Sequence, residues 1–277
     1  MKKIAAITMA RNDEFFLNKW INYYGALLGE ENLYIYLDGE DQPIPAQAGK
    51  AHIFHVKRVV EQVVKAEKRR LRYLSERAAE LFKTYDLIIG CDADEFLAID
   101  PKLGKNLVEY LSEIQIKTSV SGLGLDVGQN KNCESQLDGN QPFLAQRSYA
   151  FVSARYTKPN VIARPVRWGS GFHRIKKHTF KIDKNLYLFH FGSIDYQMIS
   201  EKIQNKELVA TGRKRHLNKR FRTINFITQK KAKDGEKYFP IVRFLQTVIR
   251  PVYAWNKPAM LGWKLIIELP ERFKNIV

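Results

Sequence analysis

The 277-residue sequence predicts an α/β protein: a Rossmann-like, mixed but mostly parallel sheet flanked by helices, with a basic helical extension at the C-terminal end. Three observations carry this. Apolar runs of strand length alternate with stretches of helical periodicity over the first hundred residues, the pattern of βαβ units. One run, Leu87-Ile88-Ile89-Gly90, stops at Cys91-Asp92-Ala93-Asp94-Glu95, which places three carboxylates within four residues. Positive charge is concentrated at one end: residues 201–277 hold 18 Lys/Arg against 6 Asp/Glu, so +12 of the net +17 lies there.

Residues 3–9 read as the first strand. Arg11-Asn12-Asp13-Glu14 ends that run too early for the apolar core of a secretion signal. Asn12 or Asp13 caps a helix over about 14–28, whose Phe16, Trp20, Tyr23, Tyr24, Leu27 and Leu28 recur at helical spacing. Leu33–Leu37 is a second strand closed by the turn signal Asp38-Gly39, and residues 53–56 are a third. A long amphipathic helix follows, apolar at Val60, Val63, Val64, Leu71, Leu74, Ala78, Leu81 and Phe82 and cationic on its other face. Residues 86–91 form the acidic strand and 106–114 a short helix. Strands are expected over 118–127, 143–153 and 186–191, and a helix over 195–210. Beyond 212 the chain is basic and punctuated by Pro240, Pro251, Pro258 and Pro270. The expected division is a catalytic domain over 1–210, with a nucleotide-binding half over 1–100 and an acceptor half over 101–210, followed by the extension 211–277.

Composition narrows the function. Hydrophobic residues make up 45% of the chain, enough for a real core. Cys91 and Cys133 give neither a disulfide framework nor a metal-ligand spacing, which suits a reducing, cytoplasmic setting. No run of about 18 apolar residues spans a bilayer.

Ligands of open α/β sheets collect at the carboxyl ends of the strands, where Asp92 and Asp94 stand. Alternation along an extended chain turns both to one side, with small Ala93 between them. Carboxylates so crowded repel one another unless a cation intervenes, and Mg²⁺ or Mn²⁺ prefers such oxygens. A solvated acidic turn is the plainer reading, but Phe96-Leu97 at once returns the chain to an apolar setting.

The order Arg11-Asn12-Asp13-Glu14, Trp20, Asp38-Gly39, then Asp92-Ala93-Asp94-Glu95-Phe96 resembles bacterial family 2-like glycosyltransferases of the GT-A fold. The resemblance runs on through Gly124–Val127, Gln146-Arg147, Lys158-Pro159, Trp168–His173 and Leu188-Phe189-His190, and covers about residues 1–210. It implies transfer of a sugar, often from a UDP-linked donor, to a saccharide or glycolipid acceptor in lipopolysaccharide or capsule synthesis, by inverting single displacement. It implies Asp92 and Asp94 as ligands of Mn²⁺ or Mg²⁺ against the donor diphosphate, with a further ligand, His173 or His190, from the C-terminal half. Arg11, Asn12, Asp13 and Asp38, at strand ends of one sheet edge, are expected to hold the donor, Arg11 meeting phosphate with its planar fork. Asp126, after an apolar strand and before a polar loop, is the first candidate for catalytic base; Glu95 and Glu134 are rivals. Trp168 and Phe172 either stack on an acceptor sugar or pack.

Residues 238–255 interleave aromatic and aliphatic side chains with Arg243 and Arg250, a pattern that suits the interface of an anionic bilayer, with 212–277 as the contact. Packing of this segment on the core is the alternative. No nucleic-acid-binding motif accompanies the charge, so no nucleic-acid partner is expected. A nucleotidyltransferase also uses paired carboxylates, but no Gly-rich Arg-Lys loop follows the first strand. A nucleotide-sugar-binding protein without transferase activity and a membrane-surface adaptor are the remaining alternatives.

Overall fold

The computed structural model describes residues 1–204, 214–259 and 263–277. In chain order the first half contains β1 (Ile4–Ala10), α1 (Glu14–Leu28), β2 (Leu33–Asp38), β3 (His52–Val56), α2 (Val63–Leu81), β4 (Leu87–Gly90), β5 (Glu95–Ile99), α3 (Leu107–Glu113) and β6 (Ser119–Gly128). The second half contains α4 (Phe143–Gln146), β7 (Tyr149–Val152), β8 (Val161–Ile162), β9 (Ile182–Ser193), α5 (Tyr196–Gln204), α6 (Lys214–Gln229), β10 (Lys233–Asp234), α7 (Gly235–Val248) and β11 (Ile266–Glu268).

The mixed, largely parallel sheet predicted from the sequence is present. Its spatial order is β10-β11-β7-β6-β8-β4-β1-β2-β3, with β9 pairing with both β6 and β5. Strands β3, β2, β1 and β4 are mutually parallel. Both β1 and β4 are buried along their whole length, as strands covered on two faces must be. Strands β4 and β6 each run antiparallel to β8, so they point the same way, and β9 is parallel to β6. The carboxyl ends of β1, β2, β4, β6 and β9 therefore share one edge. Strand β5 is antiparallel to β9 and so starts at that same edge, with Glu95 opposite His190.

Two apolar layers enclose the sheet. One holds Trp20 and Tyr24 of α1 with Phe96, Phe189 and Phe191; the other holds Leu71 and Leu74 of α2 with Ile7, Ile88 and Trp168. Helix α1 also completes the backbone of β5: Tyr24 Oη accepts from Leu97 N (2.8 Å) and Tyr23 Oη donates to Leu97 O (2.8 Å). A fully buried aromatic is worth about 3–5 kcal/mol against alanine in comparable cores, so this contact fixes β5 and the acidic turn before it.

One expectation is revised. Residues 143–153 are not one strand: Pro142 starts the short α4 and only Tyr149–Val152 pair in the sheet. Of the helix expected over 195–210, Tyr196–Gln204 are helical and 205–210 lie outside the described residues. The basic region shares the sheet: β11 pairs antiparallel with β7, and α6 and α7 pack on the same sheet.

The C-terminal segment is clipped to β5 by an ion pair. Arg272 donates from Nε (2.6 Å) and Nη2 (2.8 Å) to the two oxygens of Asp100, which also accept from Tyr187 Oη (3.2 Å) and Lys102 N (3.1 Å). Burial alone would raise the Asp100 carboxyl; the bonds from Arg272 outweigh burial and hold it below the usual carboxylate range. A carboxyl depressed in the folded state stabilises above its unfolded value of about 3.9 and loses that contribution as pH falls through the folded value. Asp100→Asn is expected to cost about 1–3 kcal/mol near neutrality. In denaturation at a series of pH values, the gap between wild type and variant should narrow as pH falls below about 5. A gap that stays constant overturns the assignment.

Candidate functional site

The shared sheet edge gathers a closed network of charges. Asp92, Asp94 and Glu95 come from the turn between β4 and β5, Asp126 from β6 and His190 from β9. Parallel pairing sets Asp126 directly beside His190. His190 Nδ1 donates to Asp126 Oδ1 (2.7 Å), while Nε2 lies 3.3 Å from Asp94 Oδ2. Asp126 Oδ2 accepts from Thr223 Oγ1 of α6 (2.9 Å), and Asp94 Oδ2 accepts from Arg220 Nη2 of the same helix (2.9 Å). Tyr156 stacks on the imidazole with ring centroids 3.8 Å apart.

A second group adjoins the first. Lys158 Nζ, almost fully buried, donates to Asp92 Oδ2 (2.9 Å) and pairs with Glu95 Oε1. Arg70 of α2 contacts Asp92 Oδ1 (2.8 Å) and is itself held by Glu67, 2.9 Å from Nη2. Glu67 also accepts from Gly171 N (2.8 Å), which ties the loop 168–173 to α2.

Close backbone approach permits this arrangement. A Cβ on Gly124 would lie 2.2 Å from the carbonyl carbon of Tyr156, so glycine there lets the segment 153–160 cross β6 and deliver both Tyr156 and Lys158. A Cβ on Gly192 would lie 2.5 Å from His190 Cε1 and 2.7 Å from Arg220 Nε.

Charge follows geometry. Burial would raise both Asp92 and Asp94; Lys158 and Arg70 outweigh it at Asp92, and His190 and Arg220 at Asp94, so both carboxyls lie well below the usual range. Glu95, with no exposed surface, is instead pushed up to about 7 by burial, against the opposing pull of Lys158. Burial would lower His190, but Asp94 and then Asp126 raise it to about 9. Lys158 is likewise raised by Asp92 and Glu95 against burial.

Asp92, Asp94, Glu95, Asp126 and His190 are thus brought together. Asp92 has one cation on each oxygen, Arg70 on Oδ1 and Lys158 on Oδ2. Asp126 is buried with one oxygen on His190 and the other on Thr223. Glu95 lies beneath Lys158, and Glu134 accepts from Asn130 N and Ser148 N. His173 Nδ1 donates to Arg155 O (2.9 Å), and burial, then the charge of Lys158, lowers it to about 3. Trp168 and Phe172 are buried and pack on Gly90, the indole donating to Pro159 O (3.1 Å), so neither offers a face to a sugar.

The strand-end residues line the same edge. Arg11 donates to Asp38 O (2.6 Å) and forks onto Asp41 (2.9 and 2.8 Å), closing the turn after β2. Asn12, at a positive φ of 50°, exchanges bonds with Gln42. Asp13 occupies the N-cap position of α1 without capping it; its carboxylate takes Lys202 Nζ of α5 at 2.9 Å.

Sequence reasoning missed Arg70, Arg220, Thr223 and the roles of Lys158 and Tyr156. Arg70 had a usable signal: it precedes Leu71 by one residue and Leu74 by four, on the core side of α2.

Asp94 Oδ2 and His190 Nε2 lie 3.3 Å apart. His190, raised to about 9, carries a proton on each ring nitrogen at neutral pH, so it could ligate a cation only by giving up the Nε2 proton while Asp126 keeps Nδ1 protonated. Among the described residues no set of three His, Cys, Asp or Glu is arranged to hold a metal, so the other ligands would be phosphate oxygens and water, the habit of Mg²⁺ sites.

No protein-family model matches the chain, and no curated protein matches it. Solved structures are similar at low level. One is a glycosyltransferase involved in glycosylation of the major capsid of PBCV-1, at 12% identity over 44% of this chain and 50% of that one, with a TM-score of 0.27. Others are a cytidylyltransferase from Leptospira borgpetersenii serovar Hardjo-bovis (13% identity, 49% and 58% covered, TM-score 0.27) and mannose-1-phosphate geranyltransferase from Thermus thermophilus (9%, 99% and 77%, TM-score 0.30). The first alignment spans half of its partner's length. Likenesses this distant carry no functional argument, which rests instead on the site.

Proposed function

We propose that the chain transfers a sugar from a nucleotide-sugar donor, UDP-linked, to a saccharide acceptor in bacterial surface-glycan synthesis, with inversion and with a divalent cation at Asp94 and His190. One observation carries the proposal: the line Asp126–His190–Asp94 at the carboxyl edge of a parallel sheet, where a carboxylate and an oriented imidazole meet. The charge count supports it. Five carboxyl groups, Glu67, Asp92, Asp94, Glu95 and Asp126, face four cationic groups, Arg70, Lys158, Arg220 and His190, each already engaged by a carboxylate, with Glu95 pushed up to about 7. A diphosphate would enter a site whose cations are already paired, so an added cation would favour its binding.

When bound, Mn²⁺ or Mg²⁺ supplies Lewis-acid neutralisation of the leaving diphosphate. The protein's share is orientation. Asp126 and Thr223 fix the imidazole, Tyr156 covers its face, and Arg220 stands beside Asp94 for the phosphate oxygens. Arg11, Asn12 and Asp38, at the ends of β1 and β2, hold the nucleoside end of the donor. The acceptor oxygen would bond to the anomeric carbon as the bond from that carbon to the diphosphate oxygen breaks; the nucleoside diphosphate leaves and the hydroxyl proton passes to solvent water.

Calorimetry with UDP, GDP and CDP, each with and without Mn²⁺, tests this. One nucleotide should bind, and only with Mn²⁺. Asp126→Asn should weaken Mn²⁺ binding by about 10–100-fold, the usual cost of removing the partner behind a ligating histidine. Binding of no nucleotide under any condition overturns the proposal.

A further inference from the structure

The exposed apolar side chains of the last quarter of the chain form a ridge. Helix α7 buries Phe239 and Val242 against the sheet, yet its outer face presents Phe244 (63% exposed) and Val248 (57%). Past Pro251 the chain turns and directs Val252 (93%), Tyr253 (69%) and Trp255 (52%) outward. Soluble monomers rarely expose large side chains in such continuity.

This turn is anchored. Between the outward residues, Ala254 and Asn256 are buried. Asn256 Oδ1 accepts from Arg174 Nη1 (2.9 Å), its Nδ2 donates to Ile175 O (3.3 Å), and Ala259 N donates back to Gln246 O of α7 (3.4 Å). Valine, tyrosine and tryptophan are therefore held outward by a fixed backbone.

Positive charge adjoins the ridge: Arg174 is bonded to Asn256, next to Trp255. Lys257 Nζ is 5.6 Å from the Tyr253 ring. Burial, then the charges of Arg174 and Arg155, lower Lys257; burial, then Arg155, Arg215 and Arg222, lower Lys219. Cations that act on one another in this way generate a field that attracts anions.

The two features together select the partner. A second copy seated ridge to ridge would bring two cation clusters together, on chains that each carry +17. Nucleic acid would satisfy the cations and leave Val248 and Val252 in water. An anionic bilayer satisfies both, with aliphatic and aromatic groups at the acyl boundary and Lys/Arg at the headgroups. Among the described residues no helix is long and apolar enough to cross a membrane, so the contact is peripheral.

We propose that the ridge Phe244–Trp255, with Lys257, Arg174 and Arg155 beside it, docks the chain on an anionic lipid surface. This does not depend on the sugar-transfer proposal. Sedimentation of the full chain with phosphatidylcholine vesicles, and with vesicles containing phosphatidylglycerol, tests it. The anionic vesicles should bind the chain and the neutral ones weakly or not at all, and added salt should weaken the complex. Val252→Asp/Tyr253→Ser should bind at least about tenfold more weakly with an unchanged melting temperature. Phe244→Ser, at the other end of the ridge, serves as an independent variant should the first fold poorly. Absence of binding to anionic vesicles overturns the proposal, as do variants that bind like wild type. Self-association of the wild type that Val252→Asp abolishes, without vesicle binding, overturns it in favour of a second copy.

Discussion

Asp94→Asn is expected to lower turnover by about 10²–10³-fold while the chain stays folded. The substitution keeps the shape of the side chain and removes its charge. Two groups feel the loss: His190, whose Nε2 is 3.3 Å from Asp94 Oδ2, and Arg220, whose Nη2 is 2.9 Å from it. The amide cannot replace the carboxylate in holding Mn²⁺, so metal affinity should fall together with turnover. Arg220 is partly exposed and can turn to water, which keeps the stability cost to about 1–3 kcal/mol. Asp92→Asn gives the contrast. Its carboxylate serves Arg70 and Lys158, so that variant should lose stability while its Mn²⁺ affinity stays within a few-fold of wild type. Calorimetric titration of Mn²⁺ into both variants, with turnover measured on the same preparations, distinguishes them. Equal losses of Mn²⁺ affinity in the two variants would show that Asp92 is a ligand after all; undiminished turnover in Asp94→Asn would remove the site from the chemistry.

The sequence made the sheet edge legible because its signals there are local. Periodicity located β1, α1, β2 and β4, and an apolar strand that ends in carboxylates pointed to the carboxyl edge on chain direction alone. Asp126 and His190 were legible as strand-end residues, though not as partners, since their pairing depends on β6 and β9 lying parallel across 63 intervening residues. The cations were harder. Arg70 looks like any charged helix residue until loop 168–173 packs over α2. Arg220 and Thr223 belong to a basic stretch that composition set apart from the catalytic half, whereas α6 packs directly on β7 and β9. Trp168 and Phe172 show the converse: a Gly-rich aromatic loop suggested ligand stacking, but Gly90 leaves a space that both rings fill. Local pattern reports which side chains reach a surface; it does not report what arrives from another part of the chain to cover them.

Lys158→Met should destabilise the protein by about 3–5 kcal/mol, the range for removing one partner of a buried ion pair. The ammonium is 3% exposed and serves two carboxylates, Asp92 and Glu95, that approach within three residues of each other in sequence. Without it Glu95, which has no exposed surface, faces Asp92 with no counter-charge of its own, while Asp92 keeps Arg70. The cost should therefore fall mainly on Glu95, and a second substitution checks that assignment. Glu95 is already pushed up to about 7 and rises further without Lys158, so in the Lys158→Met background it takes up a proton near neutrality; Glu95→Gln should restore more of the loss above about pH 7, where the unpaired carboxylate must ionise, than below it. Denaturation midpoints of the two single variants and the double variant form a cycle whose coupling is read directly. A double variant no more stable than Lys158→Met would mean that Lys158 acts through Asp92 alone, and a loss under about 1 kcal/mol in the single variant would mean that the pair is solvated. Rescue of stability without rescue of turnover is the expected combination. Lys158 is what allows adjacent carboxylates to be buried at the start of β5, and only from that fixed turn does Asp94 reach His190.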